Sequence, residues 1–446
     1  MIWAVLMGFT AINAQTVYNL EQLKDSARNN NLKFQNAQLS VEAATEQRKE
    51  VFTKYFPNVS AMGMAFRTNN GMAELEIDPS GMITPEIGAT LSQMLPAEAL
   101  SALANPMSLE LMKKGRIAGI TALQPVFMGG QIVNGNRLAK VGEEVSQLQL
   151  QLSANEVDLA TEQYYWQLVS LQEKQKTLDV VDSLLSVIYK DVDVAVKAGV
   201  AMRNDLLQVQ LRLNDIESQR VKLNNGTAVL KLLLMQHCGL SGDDFTVENP
   251  DGLLSQNFGG DISATDSTSG DYLNTAEYHL LQKQVEACEL QRKLTLGKNL
   301  PSVAVGAGLN YHNLLENDHT FGMIFATVSV PLTDWWGGSH AVKRQKIAIR
   351  KAEQQLTDNA AMLDIRVKKT AFDVQEARQQ LDIALRSVEQ STENLRLNSD
   401  YYRAGTCSMS DLLQAQLLYQ QSVDNVTDKY TELRTKLVEY RQARGE

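Results

Sequence analysis

The sequence predicts a mainly α-helical protein made of two structural repeats, each of which also carries a pair of β-strands. Three observations predict this fold class. The composition is 44% hydrophobic and 6% aromatic, with 9 prolines, which is typical of a largely helical chain. Residues 131–197 and 338–403 have helical periodicity and contain no proline. A short segment occurs twice at one spacing: Ala198-Gly199 precedes Asn204-Asp205-Leu206-Leu207, and Ala404-Gly405 precedes Ser410-Asp411-Leu412-Leu413.

The repeated segment is interpreted as the turn of a helical hairpin. A glycine just beyond a helix can adopt the left-handed conformation that ends it. The Asp-Leu-Leu that follows supplies the carboxylate and the first core contacts of a new helix. Residues 198–204 and 404–410 are therefore predicted to be turns, and a long helix is expected before each of them.

The same order of elements is expected in both repeats: helix, strand, strand, long helix, turn, helix. The first repeat covers residues 15–237, with strands at about 57–68 and 116–127 and a long helix at 131–197. The second covers 272–446, with strands at about 301–311 and 322–332 and a long helix at 338–403. Residues 238–271, rich in Gly, Asp, Ser and Thr, are predicted to link them. Apolar residues spaced by three and four indicate coiled-coil packing: Leu178, Val181, Leu185, Ile188, Val192 and Ala195.

Residues 1–14 are predicted to be a signal peptide. An apolar run from Ile2 to Ala11 ends in Asn13-Ala14-Gln15, which resembles a cleavage site after Ala14. The positive residues that normally precede such a run are missing. A truncated signal peptide and an ordinary buried strand are therefore the two alternatives.

The composition disfavours several functions. A formal net charge of −10 disfavours nucleic acid as a partner and favours cations over anions. Three widely spaced cysteines do not form a disulfide framework. Because no catalytic constellation, phosphate loop or metal-ligand spacing is found, neither an enzyme nor a cofactor or metal is expected. The methionines within residues 70–115 suggest either a soft-metal site or, more simply, flexible apolar filling: Met72, Met82, Met94, Met107 and Met112.

The four strands have the length and composition of membrane strands. A tilted membrane-spanning β-strand needs roughly ten residues, and small and apolar residues predominate here. Four strands cannot close a barrel, so two copies of the chain (about eight strands) or three copies (about twelve) would have to share one. The alternative is a small soluble sheet. Aromatic residues at the strand–helix junctions would form an interfacial belt at the membrane: Tyr55, Phe56, Phe127, Trp335 and Trp336.

From Leu20 to Arg441 the chain resembles the TolC-like outer-membrane efflux proteins. The doubled order of elements and the Ala-Gly…Asp-Leu-Leu turn carry this resemblance. So do the matching junctions around the strands, with Pro57 and Gly129-Gly130 in the first repeat and Pro301 and Gly337-Gly338 in the second. This resemblance implies a trimeric α-helical barrel continuous with a shared β-barrel in the outer membrane of a Gram-negative bacterium, the helices lying in the periplasm. Residues 70–115 and 312–321 would be extracellular loops, and 238–271 part of an equatorial strap.

The resemblance also implies a function and partners. The homotrimer would be the passive exit duct of a tripartite efflux or type I secretion system. A periplasmic adaptor (membrane fusion protein) would open it, and an inner-membrane pump would supply it. The alternative is a periplasmic adaptor or coiled-coil scaffold without a pore. Adaptors have a hairpin that interrupts a lipoyl-type domain and lack a second copy of strands and hairpin, which favours the duct.

Carboxylates at the two turns would narrow the periplasmic mouth. Asp205 matches the family's Asp in the first repeat and Tyr402 the Tyr that it holds, while Asp411 adds charge. Cys407 stands where the family has an Arg, so half of that latch is missing. Gln414 replaces a second Asp, so the mouth should be less acidic.

The residues at the turns also have structural explanations. Ser408 and Asp411 fit a capping box, and Asp205 suits the positive end of a helix dipole. Both roles are compatible with a gate. The adaptor would dock on the tips of the hairpins: Ala198, Gly199, Val200, Ala404, Gly405 and Thr406.

Overall fold

The structure, a computed structural model, describes residues 16–70, 72–78, 96, 107–240, 245–249, 271–314, 317–332 and 334–446. The expected signal peptide, Met82, Met94 and most of the 238–271 linker lie outside these residues. The chain forms two compact units, each drawn from both repeats. The helical unit comprises the described residues of Met1–Glu46, Lys140–Cys288 and Ala348–Glu446. The strand unit comprises those of Gln47–Ala139 and Glu289–Ile347.

The order of elements predicted for both repeats is confirmed. The first repeat contains β1 (Thr16–Tyr18), α1 (Leu20–Asn30), α2 (Leu32–Phe52), β2 (Asn58–Arg67), β3 (Ala73–Ile77), β4 (Met107–Leu111), β5 (Lys114–Met128), α3 (Gln131–Lys197) and α4 (Arg203–Cys238). After β6 (Phe245–Val247), the second contains α5 (Ala276–Gly297), β7 (Ser302–Asn313), β8 (His319–Ser329), α6 (Asp334–Arg403) and α7 (Met409–Arg444).

Two pairs of short strands were not expected. β3 and β4 pair in antiparallel fashion inside the segment 70–115, which the sequence analysis treats as loop. Ala73-Glu74-Leu75-Glu76-Ile77 alternates apolar and charged residues, so a strand signal was present. β1 pairs in parallel with β6 from the linker. Each of these strands has only three residues, too few to show a periodicity.

The second Gly-Gly junction differs from the first. Gly129 and Gly130, with φ of +60° and +77°, form the turn between β5 and α3. The matching Gly337 and Gly338 are helical, because α6 begins at Asp334 rather than at 338. The expected equivalence of the two junctions is therefore wrong. A side chain at Gly338 would collide with the amide of Asn299, so packing explains this glycine.

The core of the helical unit joins the two repeats. Trp166 on α3 lies between Tyr165 and Tyr430 of α7, with ring centroids 5.1 and 5.7 Å away. The guanidinium of Arg434 lies 4.9 Å from the centre of the Trp166 ring. Buried residues of all four long helices extend this cluster: Leu168, Leu230, Leu234, Val367, Leu381, Val426 and Leu433. Among the helices of the described residues, none combines the length and hydropathy needed to cross a membrane.

The strand unit contains a four-stranded antiparallel sheet in the order β2-β5-β7-β8. β5 of the first repeat pairs with β7 of the second, from Arg116 opposite Asn313 to Met128 opposite Ser302. The register shifts between Pro125 and Phe127. Because proline has no N–H to donate, a bulge is the expected place for Pro125. The sheet, like the helical core, therefore belongs to both repeats.

The turn after β5 generates a first prediction. A Cβ at Gly129 would collide with the backbone carbonyl of Gly297, at the end of α5, whereas one at Gly130 would approach only the Asn134 amide at 3.4 Å. Positive φ alone costs an alanine about 1–2 kcal/mol. Overpacking against backbone adds about 1–3 kcal/mol. Gly129→Ala should therefore lower the Tm of the detergent-extracted protein more than Gly130→Ala, the matched control. Equal losses of Tm would contradict the close approach.

Asp424 on α7 generates a second prediction, on pH. Burial raises its pKa to about 6, from 3.8, while nearby Lys174 lowers it and Asp428 raises it. One of its carboxylate oxygens is buried with no hydrogen-bond partner among the described residues. Since the folded pKa is raised, Asp424 favours folding at low pH, and that contribution is lost as the pH rises through about 6.

Asp424→Asn should therefore raise Tm near pH 8, where it should increase the free energy of unfolding by about 1 kcal/mol after solvent screening, and should change Tm little at a pH below 3.8, the pKa of the unfolded chain. Asp428→Asn is the control. The carboxylate of Asp428 lies 2.6 Å from the Lys174 ammonium, so its loss should lower Tm at pH 8. An Asp424→Asn effect that is the same at both pH values would contradict the assignment.

Candidate functional site

The two hairpin turns have the same backbone structure. Gly199 and Gly405 have φ of +76° and +72°. The N–H of Val200 donates to the Ala195 carbonyl at 2.9 Å, and the N–H of Thr406 donates to the Tyr401 carbonyl at 2.9 Å. These are the hydrogen bonds that close a helix around a left-handed glycine. The predicted tip residues 198–200 and 404–406 are all exposed, so a partner can reach them.

Asp411 begins α7 as a capping residue, as predicted. The backbone N–H and the hydroxyl of Ser408 donate to its carboxylate at 3.1 and 2.6 Å, and the Asp411 N–H donates to the Ser408 hydroxyl at 3.2 Å. The hydroxyl first, and then the backbone N–H, lower the pKa of Asp411. This carboxylate is therefore ionised at neutral pH and exposed to solvent.

Asp205 begins α4 in a similar way but with a weaker cap. Its carboxylate accepts the N–H of Met202 at 3.2 Å. Met202 stands where the second repeat has Ser408 and has no side-chain oxygen to return a bond to the helix. Asp205 therefore stabilises the helix start while one carboxylate oxygen stays available for another contact.

An apolar cluster joins the two turns; we call it the tip cluster. It consists of buried Val192, Val209, Met409 and Leu412 with partly buried residues around them, including Leu206 and Tyr402. Burial raises the pKa of the Tyr402 hydroxyl, and the charge of Asp205 raises it further. The structure thus brings Asp205 and Tyr402 near each other. Within the described part of the chain, no hydrogen bond joins them.

Cys407 contacts its own helix end rather than Asp205. Its thiol donates to the Asn398 carbonyl at 3.4 Å, at the C-terminus of α6. Partial burial and then the charge of Asp411 raise the pKa of this thiol. Cys407 therefore supplies no cation at this turn.

A buried polar network near the turns was missed by the sequence analysis. Arg212 on α4 donates to Gln416 at 3.0 Å and to Gln420 at 2.6 Å, both on α7, and also pairs with Asp215. Gln420 donates in turn to Gln219 at 2.7 Å. Gln416 is 0% exposed and Gln420 3% exposed. The network satisfies the side-chain oxygen of Gln416 and both polar atoms of Gln420, while the Gln416 amide nitrogen has no partner among the described residues. It joins the two hairpins through buried polar contacts.

The repeated segment of the sequence could have pointed to one member of this network. Gln416 belongs to the repeated segment that begins at Asp411, and Gln210 is its counterpart in the first repeat. Gln210 donates instead to the Tyr189 hydroxyl at 3.3 Å. Arg212 has an apolar counterpart, Leu418, so the repeat alone could not reveal its partner.

The predicted interface aromatics lie in the strand unit. Tyr55, Phe56, Phe127 and Trp336 are exposed, whereas the side chain of Trp335 lies outside what the structure describes. Phe52, which was not predicted, adds to them, with its ring 5.4 Å from Tyr55 and 5.7 Å from Phe56. In the described ranges, no group of three or more His, Cys, Asp and Glu could hold a metal ion.

The chain is similar to known outer membrane proteins in part of its sequence and in its structure. The outer membrane efflux protein family model matches residues 281–446. No curated protein matches the chain. The outer membrane protein VceC of Vibrio cholerae is similar in structure, with a TM-score of 0.73, 13% identity and 96% of each chain covered. The CmeC outer membrane channel of Campylobacter jejuni has a TM-score of 0.73 at 16% identity, covering 96% of this chain and 85% of that one.

CusC, which forms a transmembrane channel, has a TM-score of 0.77 at 12% identity over 97% of this chain and 93% of its own. Such likeness at low identity shows a common fold, and it agrees with the order of elements in both repeats. Residues 281–446 therefore match the outer membrane efflux protein family model, and the chain has the fold of these outer membrane channels, in agreement with the sequence resemblance.

Proposed function

We propose that three copies of this chain form a passive exit duct in the outer membrane of a Gram-negative bacterium, as part of a tripartite efflux or type I secretion system. The sheet of the strand unit is the observation that carries this proposal. β2 and β8 are its edges, and neither pairs with a further strand among the described residues. In lipid, every backbone polar group needs a partner. Copies that join β8 to β2 satisfy both edges, and three copies give about twelve strands.

The long helices support assembly in the same way. Val180, Val187 and Val194 are exposed on α3 at a spacing of seven residues, and Ile365 and Phe372 repeat that spacing on α6. A seven-residue apolar repeat is the pattern by which helices pack side by side. These stripes lie outside the buried core of a single chain, so neighbouring copies are their natural partners.

The hairpin turns are the proposed periplasmic gate. Asp205, Tyr402 and Asp411 would surround the mouth, and a periplasmic adaptor would dock on the exposed tips. An inner-membrane pump would deliver the cargo. Opening must separate the hairpin α3–α4 from the hairpin α6–α7, and the contacts that oppose separation are the tip cluster and the Arg212 network.

Reconstitution tests the duct. The detergent-extracted protein should run as an SDS-resistant or cross-linkable trimer and give long-lived conductance steps in a planar bilayer. Because the net charge is −10 and the exposed Asp411 is ionised, reversal potentials should show cation preference. Low salt should strengthen it, since exposed charges are screened beyond about 8–10 Å at physiological ionic strength. Asp411→Asn should weaken it.

A soluble monomer that never inserts would refute the duct and favour the adaptor or scaffold. A channel that inserts but prefers anions would be consistent with the duct and would contradict the proposed acidic mouth.

Substitutions of two arginines on α4 test the proposed gate. Arg212 bonds across hairpins to α7, while Arg220 pairs with Asp179 and Asp182 on α3, within its own hairpin. Arg212→Met should raise open probability, because buried Gln416 and Gln420 lose their donor, at a cost of about 1–3 kcal/mol. Arg220→Met, the matched control, should lower Tm without changing open probability. Equal open probabilities for the two variants would show that the network does not restrain opening.

A further inference from the structure

The two faces of the four-stranded sheet differ in exposure on its inner strands, β5 and β7. On β5, Lys114, Arg116 and Ile120 are exposed, while the intervening Gly115 and Ile117 are buried or half-buried. β7 shows the same division, because Ile120 lies opposite the exposed Leu309, whereas the edge strands β2 and β8 are exposed on both faces. We call the more exposed side the outer face.

The middle of the outer face is apolar. Its large side chains come from all four strands and are among the most exposed of the chain: Val59, Ile120, Leu309, Ile324 and Val328. Ile324 is 90% exposed and Val328 67% exposed. An apolar patch of this extent on one face of a sheet requires a cover, and lipid is the cover that the proposed function provides.

The two ends of the outer face carry different chemistry. Phe127, opposite Val303, lies at the end where β5 leads into α3. At the other end stand Arg67, Lys114 and Arg116, which we call the basic cluster. Arg67 lies directly opposite Lys114, and Arg116 follows Lys114 by two residues on the same face. All three are exposed.

The basic cluster concentrates like charges. Side chains directly opposite each other on neighbouring strands are about 5 Å apart at Cβ, and like charges there are destabilising. Lys114 has a partner within the chain, and the charge of Arg116 acts on the nearby carboxylate of Asp318. That carboxylate accepts hydrogen bonds from Tyr311 at 2.7 Å and from Asn313 at 2.6 Å. The exposed guanidinium groups of Arg67 and Arg116 are therefore accessible to an external anion.

We propose that Arg67 and Arg116 bind the phosphate groups of lipid headgroups in the outer leaflet of the membrane. The proposal rests on the proposed function, because the outer face meets lipid only if the strands span the membrane. Guanidinium groups bind phosphate oxygens through paired hydrogen bonds. The cluster borders the apolar middle of the same face, at the end away from α3. That is the level at which headgroups of the outer leaflet would lie.

The two arginines differ in whether a neighbouring copy of the chain could contact them. Arg67 lies on β2, an edge strand, so a carboxylate of a neighbouring copy could pair with it. Arg116 lies on β5, an inner strand whose neighbours belong to this chain. Loss of a contact between copies would weaken the trimer, whereas loss of a lipid site would not.

Binding is measured with the intact trimer in neutral detergent, titrated with a bisphosphorylated glycolipid and with the same glycolipid lacking phosphate. Retained lipid is counted by native mass spectrometry. The variants are Arg67→Gln, Arg116→Gln and their combination. Lys54→Gln is the matched control, since Lys54 is an exposed cation that precedes β2 at the opposite end of that strand. Insertion and conductance in phosphatidylcholine bilayers, measured for every variant, report the proposed function separately.

Wild type and Lys54→Gln should retain the phosphorylated glycolipid and release the phosphate-free one. Each arginine substitution should weaken retention about fivefold, as expected for one cation near an anionic surface. Salt should weaken retention by the wild type, and conductance should be unchanged. Equal retention by the double variant, or equal retention of both glycolipids, would overturn the proposal. So would a trimer that dissociates in Arg67→Gln. A wild type that gives no conductance would refute the duct itself.

Discussion

The packing of Trp166 against Tyr430 is the interaction on which the rest of the structure depends. Trp166 belongs to the first repeat and Tyr430 to the second, and their rings meet edge to face at 5.7 Å. Edge-to-face aromatic contacts add to the free energy of burying the rings, so this contact is both apolar and directional. With Leu234, Leu381 and Val426, it makes one core from all four long helices. Neither repeat, taken as a length of sequence, is a compact unit of the structure.

Because the core is shared, each chain presents its two hairpin turns side by side. The tip cluster and the Arg212 network occupy the space between the hairpins. The tip cluster is apolar and the Arg212 network is polar, so they resist separation of the hairpins for different physical reasons. Apolar packing resists separation in proportion to area, whereas buried glutamines resist it because separation leaves hydrogen-bonding groups unpaired. Asp205 and Asp411 lie outside both contacts, each at the start of its own helix.

The sheet of the strand unit, like the core of the helical unit, is built from both repeats. β5 and β7 come from different repeats and are the inner pair of the sheet. The edges are β2 and β8, one from each repeat, so a copy can offer either edge to a neighbour. The outer face adds a second asymmetry, aromatic at one end and basic at the other. In the proposed duct these ends meet different chemical surroundings.

The sequence by itself determined the repeat, the order of elements and the caps. These depend on residues close in the chain: a left-handed glycine such as Gly199, a Ser-to-Asp capping box at Ser408, and an unbroken helical period. It also determined the resemblance that the comparisons bear out. Residues 73–77 alternate apolar and charged side chains, which is the period of a strand.

Only the tertiary structure decided which residues meet across the repeats. Arg212 and Gln416 are far apart in the chain, and nothing in the period of either helix predicts their hydrogen bond. The start of α6 was misjudged because Gly337 and Gly338 look like Gly129 and Gly130 in sequence. A glycine permits a turn and a close approach alike, and only the packing around Asn299 selects between them. Local chemistry thus specifies where helices begin and end, while the contacts that hold two hairpins together depend on the shared core.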